Sequence, residues 1–223
     1  MPVPISRLDY VGQHTRIDEY ELDRQTLMDA LGCMADYIDN QRQSITVIAV
    51  GGAVNTILLQ SRQSTRDVDF FGCNISNQQR VLLDEASNYA GRRSKVPLGG
   101  QWFNNQTMLW IPPDIHRRVT REALDQNEIV FQKRGLKVVA APWNYAFCGK
   151  MNQLARGTEA RPYDIPDAVS FLRHHIQRRG KRPVRGNIVK QWCGEYQKAT
   201  SDDVMTSINK EYKLRYGESG IIR

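Results

Sequence analysis

Six β-favouring residues, Ile45-Thr46-Val47-Ile48-Ala49-Val50, run straight into Gly51-Gly52. A run this short and apolar, ended by two glycines, predicts a buried strand that turns sharply at its end. Ala53 to Leu59 then reads as a short helix, and Asp67-Val68-Asp69-Phe70-Phe71 as a second strand. The chain is thereby held to a strand, a tight turn, a helix and a strand, with two acids set in an otherwise apolar stretch. Side chains two apart in a strand point to the same side. Asp67 and Asp69 therefore converge, while Val68 faces the core.

The rest of the chain supplies partners for these strands. Residues 1–16 read as a loose lead-in broken at Gly12. From Asp18 to Asp39, Leu22, Leu27, Leu31, Met34 and Ile38 recur at helical spacing, opposite a strongly acidic face taken as solvated. Ser76 is placed to cap a helix over 77–90, with Val81, Leu82, Ala86 and Tyr89 inward. Thr107 to Ile111 predicts a third strand stopped by Pro112-Pro113, and a helix over 114–125 follows. Two β-rich runs at 129–132 and 136–139 flank Lys133-Arg134-Gly135, a hairpin signal. Pro142 opens a helix towards Arg156, and helices are expected at 164–179, 185–198 and 202–215. The predicted class is α/β (α+β): a small mixed sheet flanked by helices over 18–140, then a helical C-terminal section over 141–216.

Charge narrows the partners. The 223 residues carry 31 basic and 24 acidic side chains, a net charge of +7, which favours nucleotides, nucleic acid or phosphorylated molecules. No apolar stretch is long enough for a transmembrane helix, and the first residues do not form a secretory signal, so no membrane partner is expected. Cys33, Cys73, Cys148 and Cys193 form no CxxC pair. Free thiols in a reducing, cytoplasmic compartment are the expectation, with two disulfides as the alternative. His174 and His175 are adjacent and cannot make the HExxH zinc arrangement; GxSxG, GxxxxGK[ST] and GxGxxG are absent.

The acid pair and the glycine turn point to phosphate chemistry. Two convergent carboxylates repel each other unless a cation neutralises them, and Mg²⁺ (or Mn²⁺) commonly joins such carboxylates to substrate phosphates. Gly51 and Gly52 lack side chains, so their backbone is able to approach a phosphate closely. A bare turn and a solvated strand edge remain the plainer reading of the same residues.

These segments resemble the nucleotidyltransferase superfamily with the DNA-polymerase-beta-like catalytic fold, and its abortive-infection toxin-like branch in particular. That branch carries a strand ending in GG[AS], a helix, and R-x-T-x-D-[IVL]-D. Here the match is Gly51-Gly52-Ala53 and Arg62-Gln63-Ser64-Thr65-Arg66-Asp67-Val68-Asp69, with the arginine one place further from Asp67. A later lysine and an R-x-K-D-x-x-D segment are matched by Lys150 and Arg161-Pro162-Tyr163-Asp164-Ile165-Pro166-Asp167, with Tyr163 in place of the lysine. The resemblance implies Asp67 and Asp69 as metal ligands and catalytic groups. It implies Gly51, Gly52, Thr65, Lys150 and Arg161 as contacts for a nucleoside triphosphate donor. Lys150 and Arg161 equally suit ion pairing with Asp164 and Asp167.

The family's third carboxylate, on a later strand, has no counterpart in Thr107–Ile111; Asp114 lies just beyond its end and Glu128 precedes the hairpin, and either is a candidate substitute. Transfer of a nucleoside monophosphate, nucleotide binding without transfer, and a non-enzymatic interaction role on the same fold all follow from this pattern. Residues 168–194 hold seven basic residues and no acid, a stripe suited to RNA or another anionic acceptor and equally to a solvated face. Gln101-Trp102-Phe103-Asn104 either lines the substrate cleft or contributes to the core.

Overall fold

The structure is a computed structural model that describes residues 3–8, 14–157 and 161–223. It falls into two compact units. The first takes the chain up to residue 112 and again over 123–140; the second takes 113–122 and 141–223.

The first unit is built on a five-stranded mixed sheet. In chain order its strands are β1 (Val3–Leu8), β2 (His14–Glu19), β3 (Leu22–Asp23), β4 (Ile45–Val50), β5 (Ser64–Thr65), β6 (Val68–Gly72), β7 (Phe103–Asn104), β8 (Ile129–Lys133) and β9 (Leu136–Ala140). The main sheet runs β7-β6-β4-β9-β8. β4 is antiparallel to β6 and parallel to β9, and its buried face explains the unbroken apolar run that marks it. Helices α1 (Arg24–Asn40), α2 (Gly52–Ile57) and α3 (Asn77–Arg93) complete the unit. α3 opens on the capping box of Ser76 and Gln79.

Several expectations are corrected here. β1 and β2 pair as an antiparallel hairpin where a lead-in was expected; Gly12 lies outside the described residues. α1 begins at Arg24, six residues after the predicted start, because Asp23 caps it by accepting a hydrogen bond from Thr26 N. Leu22-Asp23 pair instead with Ser64-Thr65 as a two-residue ribbon. The acidic face of α1 is also partly occupied: Lys133 pairs with Asp36 at 2.7 Å and Arg134 with Asp39 at 3.5 Å. Gly135 makes this approach possible. Its φ is +89°, and a Cβ there would lie 2.7 Å from the backbone N of Asp39 and closer still to Ala35 O. On α3, Val81 points outward at 58% exposure, and Leu82, Leu83, Ala86 and Ala90 form the buried stripe.

Residues 107–111 do not form a strand. Gln106–Trp110 is a 3₁₀ turn, opened by Gln106 N donating to Asn104 Oδ1. The strand in this region is β7, two residues earlier, parallel to β6. Trp102 and Phe103 belong to the core, with Phe103 stacked on Phe70 at 4.2 Å.

The second unit is helical. It holds the first part of α4 (Pro113–Gln126), then α5 (Trp143–Ala155), α6 (Asp164–Arg178), α7 (Gly186–Glu195) and α8 (Asp202–Tyr216). A two-stranded parallel ribbon joins β10 (Val184–Arg185) to β11 (Ile221–Ile222). Trp143, Phe147, Phe171, Tyr196 and Tyr212 fill its interior. Tyr196 donates to Glu122 and accepts from Asn144, and burial together with the Glu122 carboxylate pushes its phenol far above the usual tyrosine value. Cys148 and Cys193 are buried free thiols. Among the described residues, no helix is long and apolar enough to cross a membrane.

Candidate functional site

In the first unit the glycine turn and the acid pair meet at one end of the sheet. β4 delivers Val50 opposite Asp69 in the antiparallel register, so the turn that follows Val50 stands beside the carboxylate. A Cβ on Gly51 would lie 3.8 Å from Oδ2 of Asp69. Gly51 has φ of +70°, a left-handed conformation that favours glycine. Val68 is fully buried between two half-buried acids; β6 begins at Val68, one residue later than the predicted strand, so Asp69 lies in the strand and Asp67 just before it.

Gly52 is forced by a close approach. A Cβ there would fall 2.7 Å from Arg62 Nη1 and nearer still to Thr65 Oγ1. Thr65 is buried and held in β5 by its pairing with Leu22, so its hydroxyl is fixed over the start of α2. Glu21 anchors the loop from the other side, accepting hydrogen bonds from Ser64 at 2.6 Å and Arg66 at 3.2 Å. Partial burial raises the Glu21 carboxyl, but those hydrogen bonds and the Arg66 charge outweigh it and leave the group below its ordinary value. Asn55 closes the turn from beneath: it accepts from Ser61 at 2.8 Å and makes a long 3.4 Å bond to Gly51 O. The sequence does not single out Asn55, because an asparagine inside a six-residue helix carries no motif of its own.

Within the first unit, Glu128 does not join this pair. Glu128 precedes β8, three strands from β6, which at about 4.8 Å per strand is roughly 14 Å away. Asp114 stands in the first turn of α4, in the second unit. The residue beside Asp69 across the β6–β7 register is Asn104, a buried amide. Its side chain donates to Gln101 O at 3.2 Å and accepts from Gln106 N at 3.2 Å. Among the described residues, no group of three or more His, Cys, Asp or Glu side chains is arranged to hold a metal ion. Two carboxylates fit a Mg²⁺ that brings its remaining oxygens from phosphates and water, and do not by themselves make an all-protein cage.

Lys150 and Arg161 stand in the second unit and are described there. The Lys150 ammonium lies 2.9 Å from Asp164 and 3.0 Å from Asp167, and the three side chains are 10%, 0% and 1% exposed. Asp164 also accepts from the backbone N of Arg161 at 2.9 Å, which fastens the start of α6. The Arg161 guanidinium bonds the Tyr163 hydroxyl at 3.0 Å. The ion-pair alternative for Lys150 is thus realised in the geometry, and the charge of this triad is formally −1.

Of the basic residues in 168–194, Arg173 binds Glu218 and Tyr212, and Lys190 binds Asp202 at 2.8 Å. Arg179, Lys181, Arg182 and Arg185 are exposed. His174 and His175 face tryptophans, Trp143 and Trp192. Burial, and secondarily the charge of Arg179, push His175 down to about 4.

The family described as Domain of unknown function (DUF7582) matches residues 21–219, and the chain belongs to that family. No curated protein and no solved structure matches the chain.

Proposed function

We propose that the chain binds a nucleoside triphosphate with Mg²⁺ (or Mn²⁺) at Asp67 and Asp69 and passes its nucleoside monophosphate to an acceptor, RNA or another anionic molecule. The observation that supports this reading is the placing of Asp69 against the Gly51 turn, which sets a carboxylate beside a backbone position without a side chain. In the step, an acceptor hydroxyl oxygen bonds to the α-phosphorus as the bond from that phosphorus to the bridging oxygen breaks. Pyrophosphate leaves with the electron pair, and the hydroxyl proton passes to water. A bound Mg²⁺ supplies charge neutralisation for the leaving pyrophosphate. Asp67 and Asp69 hold the cation and Gly51 admits the phosphates, while Gly52 leaves room for the Thr65 hydroxyl and the Arg62 guanidinium packed over it. Lys150 keeps its charge for Asp164 and Asp167.

Asn104 favours a second reading, nucleotide binding without transfer. The residue beside Asp69 on the neighbouring strand is a neutral amide engaged with its own loop, not an acid able to help deprotonate an acceptor. The test uses the full chain and its Asp67→Asn/Asp69→Asn variant. Each is incubated with Mg²⁺ or Mn²⁺, each α-labelled nucleoside triphosphate separately, and mixed RNA and protein extract. Metal-dependent label transfer that the variant loses supports the transferase. A metal-dependent rise in melting temperature with nucleotide, and no transfer, supports the second reading. Neither response, in folded protein, refutes both and leaves a non-enzymatic interaction role.

A further inference from the structure

One end of the second unit presents five cations that answer no acid. Arg179 closes α6, and its backbone N and that of Lys181 both donate to Ile176 O, at 3.1 and 2.9 Å. Gly180 and Lys181 take φ of +79° and +59°, so the chain folds back within two residues. It then extends through Arg182 to Arg185, held by Val184 N on Gly220 O at 2.9 Å and by the parallel β10–β11 register. That register sets Arg185 beside Ile222, with Arg223 next along the ribbon. Gly220 fixes the ribbon to the helices: a Cβ there would fall 2.7 Å from the Tyr212 ring. Arg179, Lys181, Arg182, Arg185 and Arg223 are all exposed, and none forms an ion pair among the described residues. The neighbouring acid, Glu218, is already taken by Arg173.

We propose that this surface binds the phosphate backbone of a nucleic acid without choosing its sequence. Four of the five cations are arginines, whose planar fork grips phosphate oxygens in pairs. They are held on a braced turn and ribbon rather than a free tail, so less freedom is lost on binding. Ile222 is the one large apolar side chain exposed on the ribbon, too little for insertion into a lipid surface. Trp192, the aromatic residue on α7, is packed on His175 and offers no free face for base stacking, so the contacts left to the patch are to phosphates. The proposal does not depend on the nucleotide site, which belongs to the first unit.

The test is fluorescence anisotropy with a labelled 20-nucleotide single-stranded RNA and the equivalent DNA, titrated at 50 to 200 mM salt. The wild-type chain is expected to bind both, with log affinity falling against log salt at about 0.7 per phosphate contacted. Changing Arg179, Lys181, Arg182 and Arg185 together to glutamine is expected to lower affinity at least tenfold and to flatten the slope by about 2 or more. A control removing four exposed charges elsewhere, at Arg80, Arg92, Lys95 and Arg117, should leave most of the affinity and slope. Asp67→Asn/Asp69→Asn should bind as the wild type does, so failure of the nucleotide reading leaves this result intact. Equal losses in the two quadruple variants would overturn the proposal, as would binding to phosphatidylserine vesicles with none to either nucleic acid. Preference for RNA over DNA would point to contacts with the 2′-hydroxyl.

Discussion

Each unit of the chain carries a pair of aspartates, and the two pairs differ in how deeply they are buried. Asp164 and Asp167 are three apart on α6, share one face of the helix, and are buried with the Lys150 ammonium between them. Asp67, just before β6, and Asp69, within it, are half-buried, and Asp69 stands beside a turn made of glycine. Burying a pair of carboxylates is tolerable only with a cation inside the same pocket. The first arrangement therefore reads as part of the framework. The second keeps its contact with solvent, from which a hydrated cation and its phosphates would enter. Similar short acidic motifs thus stand in different surroundings, one fully buried around a cation and the other half-buried.

The contrast is broken most directly at Lys150. Lys150→Met should cost about 3–5 kcal/mol, since it leaves two buried carboxylates without their cation; urea denaturation would read it, and a loss under 1 kcal/mol would remove the framework role. Gly52→Ala should cost about 1–3 kcal/mol, because the new methyl meets the fixed Thr65 hydroxyl and the Arg62 guanidinium. The second unit also hides a titrating group. His175 sits near 4 in the folded chain against about 6.5 unfolded. Its folded pKa is depressed, so its contribution is fully present above pH 6.5 and is lost as pH falls from there towards 4. Melting temperatures of His175→Gln and wild type should therefore diverge over that window and run parallel above it. The smallest stability effect is expected at Asp67→Asn/Asp69→Asn, within about 1 kcal/mol of wild type. Any melting shift produced by Mg²⁺ and nucleotide should vanish in it. A large destabilisation there would make the two pairs alike.

Much of this was legible where a local signal and the tertiary environment agree. β4, β8, β9 and α5 to α8 stand close to their predicted spans, because their apolar periodicity coincides with burial and their ends carry proline, glycine or serine. The Gly51–Asp69 juxtaposition also follows from the order of elements. The failures share a different cause. β1 and β2 lie where Pro4 and the later Gly12 break the sequence pattern, so alternation gives no warning of their pairing. Leu22-Asp23 fit a helix by periodicity, but cross-strand pairing with Ser64-Thr65 and the Asp23 cap override it. Residues 107–111 have strand-like composition, yet the Asn104 side chain opens a 3₁₀ turn just before them. Lys150 shows the limit for the site itself: a lysine near an anion-binding motif and a lysine buried between two aspartates have the same sequence signature.

The path of the chain between the two units has a consequence for how such a protein is inherited and engineered. The backbone leaves the first unit at residue 112, returns at 123 and leaves again at 140. The strand that completes the middle of the sheet, β9, is thus encoded after a segment that belongs to the other unit. No single junction in the reading frame separates the two. A recombination event or cloning boundary at 112 would leave β4 without its parallel neighbour, and the acid-bearing β6 in a sheet with one raw edge. The halves must travel together, and swapping one for a relative's requires exchanging two separate stretches of sequence at once.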